Sequence, residues 1–142
     1  SEPISKIVKS PFIAEELKEL DNETGKAKRF FKKVSVLRGN VALVDTTKTK
    51  FFVSRFLEYF LYPQIEYSVR VEWAGDDYHI SVGKNPWTKT PAGVHIGEML
   101  KKYGGGGHRG VGAVDRKTKS EILKIAAEVI EYLNSPPHHN EP

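Results

Sequence analysis

Four consecutive glycines followed by a histidine and an arginine form the segment of this sequence best suited to chemistry. Glycine adopts positive φ at little steric cost, and consecutive N–H groups can form a concave anion site. Arginine can donate two parallel hydrogen bonds to a phosphate, and a protonated histidine can donate another. The pattern predicts a phosphate-binding segment made of Gly104, Gly105, Gly106, Gly107, His108 and Arg109.

The other interpretation of the glycine run is a turn after a helix that leaves His108 and Arg109 merely exposed. Linker glycines usually occur together with serine and without periodic flanking segments. Here the run lies between a helical pattern that ends at Tyr103 and the apolar segment 111–114. We therefore favour the ligand-binding interpretation over the turn.

The charge of the chain permits an anionic partner but does not require one. Its 22 basic and 18 acidic residues give a net charge of +4. We interpret the basic residues between 26 and 33 as a solvated helix face. A second basic group surrounds the glycine run and consists of Lys84, Lys89, Lys101, Lys102, His108 and Arg109.

Composition excludes several classes of site and protein. The chain has no cysteine, which excludes disulfides, thiolate zinc sites and cysteine nucleophiles. Its five histidines do not have the spacing of metal ligands. No apolar run approaches the roughly 20 residues that span a bilayer, and residues 1–10 lack the apolar stretch of a secretory signal. We therefore expect a cytoplasmic protein without a membrane partner.

The hydrophobic periodicity predicts a single α/β domain whose mixed sheet of about five strands is flanked by helices. Two hairpins are expected, one around Gly39-Asn40 and one around residues 74–77. Helices are expected from Ser10-Pro11, over residues 52–60 and 96–103, and from the Thr118 cap to Leu133.

The positions of several residues outside the glycine run indicate their roles in these elements. Arg70 lies on the polar face of the best strand and is expected to be a solvated strand arginine. His95 is expected to cap the helix that follows it, and both Asp45 and Asp115 are expected to serve turns. Trp87 could stack a base, as aromatic platforms do in single-strand binders, or pack against its own loop.

The stretch from His95 to Tyr103 followed by GGGGHRGVGA resembles the signature of the DHH-associated domain. That domain is the C-terminal half of the DHH phosphoesterases, which include RecJ-like exonucleases, nano-RNases and exopolyphosphatase-related proteins. Segments 41–45 and 54–63 are also similar to the family. The resemblance covers roughly residues 34–134, with a helical segment at 1–33 before it and a tail at 135–142 that is expected to be disordered.

The resemblance implies a two-domain enzyme with its active site in the cleft between the domains. An N-terminal DHH domain would carry two manganese ions on aspartates and histidines, including an Asp-His-His motif. This chain contains no Asp-His-His, so we expect it to be inactive alone and to hold no cofactor. Many relatives have an arginine where this sequence reads Ser81-Val82-Gly83-Lys84, and Lys84 is expected to replace it as a point charge.

The resemblance thus implies a substrate-binding domain that grips phosphate through Gly104 to Gly107, His108, Arg109 and Lys84. The expected partners are the DHH domain and a short oligonucleotide, a nucleotide or polyphosphate. Two alternatives remain open. One is a free-standing module that binds single-stranded nucleic acid, and the other is a structural or dimerising domain.

Overall fold

The structure is a computed structural model that describes residues 25, 26, 28–48, 57–88 and 93–135. The expected helix start at Ser10-Pro11, the segment 52–56 and the expected disordered tail beyond Ser135 lie outside these residues. The chain divides into two compact units, Ser1–Lys33 and Val34–Pro142. The described residues of the first unit are helical. Among the described helices, none is long and apolar enough to cross a membrane.

The described part of the second unit is built on a six-stranded mixed sheet in the order β1-β2-β3-β4-β6-β5. The strands are β1 Ser35–Arg38, β2 Val41–Asp45, β3 Tyr67–Trp73, β4 Tyr78–Lys84, β5 Gly106–Gly107 and β6 Val111–Arg116. Strands β2 and β3 are parallel, and every other neighbouring pair is antiparallel. The predicted α/β class with a mixed sheet is confirmed. The additional strand, β5, lies inside the glycine run, where no side chains could form an alternating pattern.

Helix α1 spans Leu57–Leu61, α2 spans Ile96–Leu100 and continues as a 3-10 turn, Lys101–Tyr103, and α3 spans Lys119–Asn134. The Thr118 hydroxyl accepts a hydrogen bond from the Glu121 N–H at 3.2 Å, which confirms the predicted cap of α3. The buried residues of α3, spaced at three and four positions, are Ile122, Ile125, Ala126, Val129, Ile130 and Leu133. This apolar stripe covers one face of the sheet together with α2.

The end of α3 also holds the first hairpin in place. Gly39 has a φ of +61°, as the predicted tight turn requires. The Asn134 side chain accepts a hydrogen bond from the Asn40 N–H and donates one to the Arg38 carbonyl, both at 2.8 Å. The C-terminal residue of α3 therefore joins the β1–β2 turn to the helix that packs on the sheet.

The opposite side of the sheet, here called the open face, carries the alternate residues of each strand. Pairing across β4 and β6 aligns Ser81 with Ala113 and Gly83 with Val111. Strand β5 extends the first of these rows, because Gly106 pairs with Ala113. Helix α1 packs on the β2 side of this face through Tyr59. The open face beyond α1 therefore has a floor of small residues, apart from Val111.

Candidate functional site

The first half of the glycine run ends a helix. Gly104 has a φ of +77°, the left-handed conformation that commonly closes a helix. The Gly104 N–H donates to the Lys101 carbonyl at 2.9 Å, and the Gly105 N–H donates to the Leu100 carbonyl at 3.1 Å. Both N–H groups therefore bind the preceding helical turns.

The second half of the run pairs as β5 with the start of β6. A Cβ on Gly105 would overlap the Ala113 carbonyl oxygen, and a Cβ on Gly107 would overlap the Val111 carbonyl oxygen. Gly106 is different, since its φ is not positive and a Cβ there would meet nothing within 4 Å. Close packing therefore explains why positions 105 and 107 are glycine. At position 106 the space above the backbone is open.

The residues after the run form a turn whose carbonyl groups point into the domain. The His108 carbonyl accepts a hydrogen bond from the Gly97 N–H at 2.8 Å, and the Arg109 carbonyl accepts one from the Ile96 N–H at 2.9 Å. In a planar trans peptide the N–H points opposite to the C=O, so the N–H groups of Arg109 and Gly110 point away from α2. The side chains of His108 and Arg109 are exposed. Hydrogen bonds to α2 thus fix the backbone of the turn, and its two basic side chains are exposed.

Lys84 contributes to the same turn through its backbone. Its N–H donates to the Gly110 carbonyl at 2.8 Å. Its side chain points away from the open face. Lys84 pairs with Tyr67, and both side chains project from the face of the sheet that α2 and α3 cover. The ammonium nitrogen lies 2.9 Å from where a Cβ on Gly93 would be. His108 instead lies opposite Val111, and its N–H donates to the Val111 carbonyl at 2.7 Å. Because Gly107 pairs with Gly112, this continues the pairing of β5 with β6 and places His108 on the open face.

Arg70 is not the solvated strand arginine that the sequence predicts, and that prediction is wrong. Its Nε donates to Glu58 Oε2 at 2.7 Å, and the two side chains are only 12% and 1% exposed. The reason is α1, which brings Glu58 onto the polar side of β3. Burial raises the pKa of Glu58 above its usual value, although the hydrogen bond and charge of Arg70 oppose the rise.

The remaining predicted residues have structural roles. His95 Nδ1 accepts a hydrogen bond from the Glu98 N–H at 3.1 Å, which confirms the helix cap. Asp45 Oδ1 accepts from the Thr47 N–H at 3.0 Å, which confirms its turn role. Asp115, also expected in a turn, instead contacts His79 Nδ1 at 2.5 Å from the neighbouring strand. Within the described residues no group of three or more histidines and carboxylates could hold a metal ion.

Trp87 lies beside α1 and is 59% exposed. Its ring contacts Phe60, with centroids 5.4 Å apart, and packs edge-to-face with Tyr59, with centroids 6.2 Å apart. Phe60 is itself 69% exposed. Sequence reasoning missed Phe60 as a surface residue, because its helical spacing from Leu57 and Phe56 is that of a core position. The helix is short, and Phe60 falls on its outer side.

Comparison with known proteins gives likenesses of structure only. No protein-family model matches this chain, and no curated protein matches its sequence. The chain is similar to the pGpG-specific phosphodiesterase PggH from Vibrio cholerae, with a TM-score of 0.75 and 24% identity over 92% of this chain and 45% of that one. It is also similar to an exopolyphosphatase-related protein from Bacteroides fragilis, with a TM-score of 0.55 and 16% identity over 77% of this chain and 34% of that one.

This chain therefore spans less than half the length of either similar protein. Both likenesses are ones of fold. They match the resemblance to the DHH-associated domain drawn from the glycine run and its flanking segments, because the two proteins are a phosphodiesterase and an exopolyphosphatase-related protein. The described part of the chain folds as a portion of each of these two proteins does.

Proposed function

We propose that this chain is the substrate-binding domain of a DHH-family phosphoesterase and that it binds phosphate at the turn of His108 and Arg109. The observation that carries the proposal is the turn itself. Its carbonyl groups accept hydrogen bonds from α2 and β4, while both basic side chains are exposed. Because hydrogen bonds already hold the backbone of this turn, the backbone loses little conformational entropy when an anion binds to the turn.

The chemistry of the turn suits a phosphate oxyanion. The Arg109 guanidinium can donate two parallel hydrogen bonds to phosphate oxygens, and the N–H groups of Arg109 and Gly110 point away from α2. A protonated His108 adds a second cationic group. The open space above Gly106 lets the ligand approach the backbone of β5 closely. We propose that Gly104, Gly105 and Gly107 shape this site and that Gly106 borders the ligand.

Lys84 differs from the other members of the predicted site in the direction of its side chain. Its N–H supports the turn, but its ammonium group lies toward Gly93 on the helix-covered face. That Lys84 contacts the same phosphate stays a prediction. Substitution with alanine tests it, because the backbone hydrogen bond to Gly110 survives that change.

Hydrolysis would belong to a separate DHH domain that supplies manganese ions on its own aspartates and histidines. This chain would bind and orient the phosphate and would have no activity alone. The candidate substrates are a short oligonucleotide, a nucleotide or polyphosphate. The phosphodiesterase from Vibrio cholerae is described as specific for pGpG, which makes a 5′-phosphorylated dinucleotide the first ligand to try.

The test is an NMR titration of the labelled chain with pyrophosphate and with a 5′-phosphorylated dinucleotide. We expect the amide resonances of Gly106 to Gly110 to shift. We expect Arg109→Ala to weaken binding by roughly 10- to 100-fold, since hydrogen bonds to charged groups are worth about 1.5–3 kcal/mol. Arg38→Ala is the matched control, because it removes an exposed arginine from the opposite edge of the sheet.

A negative result has a defined form. If Arg109→Ala and His108→Ala bind both ligands as the unaltered chain does, the turn is not a phosphate site. The thermal unfolding of each variant checks that the domain is still folded, and we expect no change because both side chains are exposed.

A further inference from the structure

A second exposed feature lies on the open face, where Trp87 and Phe60 place their rings side by side with centroids 5.4 Å apart. We propose that these two rings stack a nucleobase of the ligand whose phosphate binds at His108 and Arg109. The inference rests on the proposed phosphate site and adds a substrate class to it, which is a nucleotide and not a bare polyphosphate.

The turn that carries Trp87 is held by a buried side chain. Asn85 is 3% exposed, donates from Nδ2 to the Ile65 carbonyl at 2.9 Å, and accepts the Trp87 N–H on Oδ1 at 2.9 Å. The Thr88 hydroxyl donates to the Asn85 carbonyl at 3.0 Å. Trp87 therefore sits on an ordered turn although it is largely exposed. An ordered aromatic ring loses less conformational freedom on stacking than a mobile one does.

Phe60 is held in a similar way through its neighbours on α1. Glu58 joins this helix to Arg70 on β3, and Tyr59 is 6% exposed and packs edge-to-face with Trp87. These contacts leave Phe60 and Trp87 as two exposed large apolar side chains that touch each other. The two ring planes are inclined by 50°, so a base can lie flat on one ring and meet the other at its edge. Exposed aromatic rings are the surfaces on which proteins stack the bases of single strands.

The aromatic pair and the basic turn lie on the same face of the sheet. The Tyr59 hydroxyl oxygen is 3.4 Å from where a Cβ on Gly83 would be. Gly83 pairs with Val111, which lies opposite His108. Neighbouring strands are about 4.8 Å apart, so His108 lies about 10 Å from Gly83, with Val111 between them.

The chemistry along this path matches a nucleotide from end to end. Cationic donors lie at one end, small residues form the floor, and aromatic rings lie at the other end. Inorganic polyphosphate has no apolar group that would contact Phe60 and Trp87. A nucleotide has an anionic phosphate for the turn and a planar base for the aromatic rings.

The test uses the two tryptophans of the chain as separate NMR probes. The indole N–H resonance of Trp87 is expected to shift with guanosine 5′-monophosphate and not with tripolyphosphate. Trp73 is the internal control, because it packs against Tyr78 at 4.6 Å between centroids and lies at the far end of β3. Trp73→Phe assigns the two resonances.

Variants then separate the two ends of the proposed site. We expect Trp87→Ala and Phe60→Ala to weaken binding of the nucleotide roughly 5- to 100-fold, the range for loss of one stacked base, and to leave tripolyphosphate binding unchanged. Trp87→Phe should recover part of the loss. Phe60→Ala keeps the test decisive if Trp87→Ala unfolds, since Phe60 is the more exposed of the two.

The outcomes distinguish the inference from the proposal on which it rests. If both aromatic variants bind the nucleotide as the unaltered chain does, or lose nucleotide and tripolyphosphate equally, the aromatic pair does not contact a base and the inference is overturned. The phosphate site survives either result. If instead both Arg109→Ala and His108→Ala bind the two ligands as the unaltered chain does, the proposed function fails and the inference fails with it.

Discussion

The buried ion pair beneath α1 gives a defined stability prediction. Arg70→Met removes the guanidinium that lies 2.7 Å from Glu58 and leaves a carboxyl group that is 1% exposed. Removing one partner of a buried pair costs about 3–5 kcal/mol, because the remaining charge has neither solvent nor a counter-ion. Since Arg70 is 12% exposed, we expect the lower end, about 3 kcal/mol at neutral pH. For a chain of this size, that loss lowers the Tm by roughly 6–12 °C.

The penalty should depend on pH in one direction. Burial already raises the pKa of Glu58 above its usual value of 4.5. A carboxyl group with a higher pKa in the folded state stabilises the fold most below the unfolded pKa. That stabilisation is lost as the pH rises through the folded pKa. Without Arg70 the folded pKa rises further, so the penalty of Arg70→Met should be small at pH 4.5 and reach its full size at pH 8.

Thermal unfolding followed by circular dichroism at these two pH values measures the effect. The control is the double variant Glu58→Gln with Arg70→Met, which removes both charges and should recover most of the lost stability at pH 8. If Arg70→Met loses the same stability at both pH values, an uncompensated carboxylate is not the cause. If the double variant is no more stable than the single one, the reasoning is equally refuted.

Three other changes test the glycine run and the first hairpin. Gly106→Ala should leave the Tm nearly unchanged, because its Cβ meets nothing within 4 Å, yet weaken pyrophosphate binding in the titration. Gly105→Ala should lower the Tm strongly, because its methyl group would overlap the Ala113 carbonyl oxygen; a Tm equal to that of Gly106→Ala would contradict this. Asn134→Ala should cost about 1–2 kcal/mol in urea unfolding, because two hydrogen bonds to the β1–β2 turn are lost, and Asn134→Asp should recover the one it accepts.

Local patterns in the sequence predicted most of the elements correctly. The three- and four-residue spacing from Ile122 to Leu133 predicted α3, and the alternation around residues 74–77 predicted the β3–β4 hairpin. The cap at His95 also followed from neighbours within one helical turn. In each case the residues that decide the structure are close in sequence, so their spacing alone carries the information.

Contacts between distant segments could not be predicted in this way. The parallel pairing of β2 with β3 and the approach of Glu58 to Arg70 depend on the path of the chain between them. Strand β5 has no side chains to show a period, so the glycine run could be recognised as unusual but not as part of the sheet. The register of β5 with β6 shows that packing requires glycine at 105 and 107 but does not require it at 106.

The hydrogen bonds of the turn at His108 and Arg109 have a consequence for folding. They join backbone groups of β4, of the first residues of α2 and of the turn before β6, which are far apart in the chain. The turn therefore cannot acquire its shape until these segments have assembled, so the candidate phosphate site is a property of the folded domain and not of a local peptide. A ligand bound there would favour the native state over the unfolded chain by mass action. The isolated GGGGHR peptide should accordingly lack this binding.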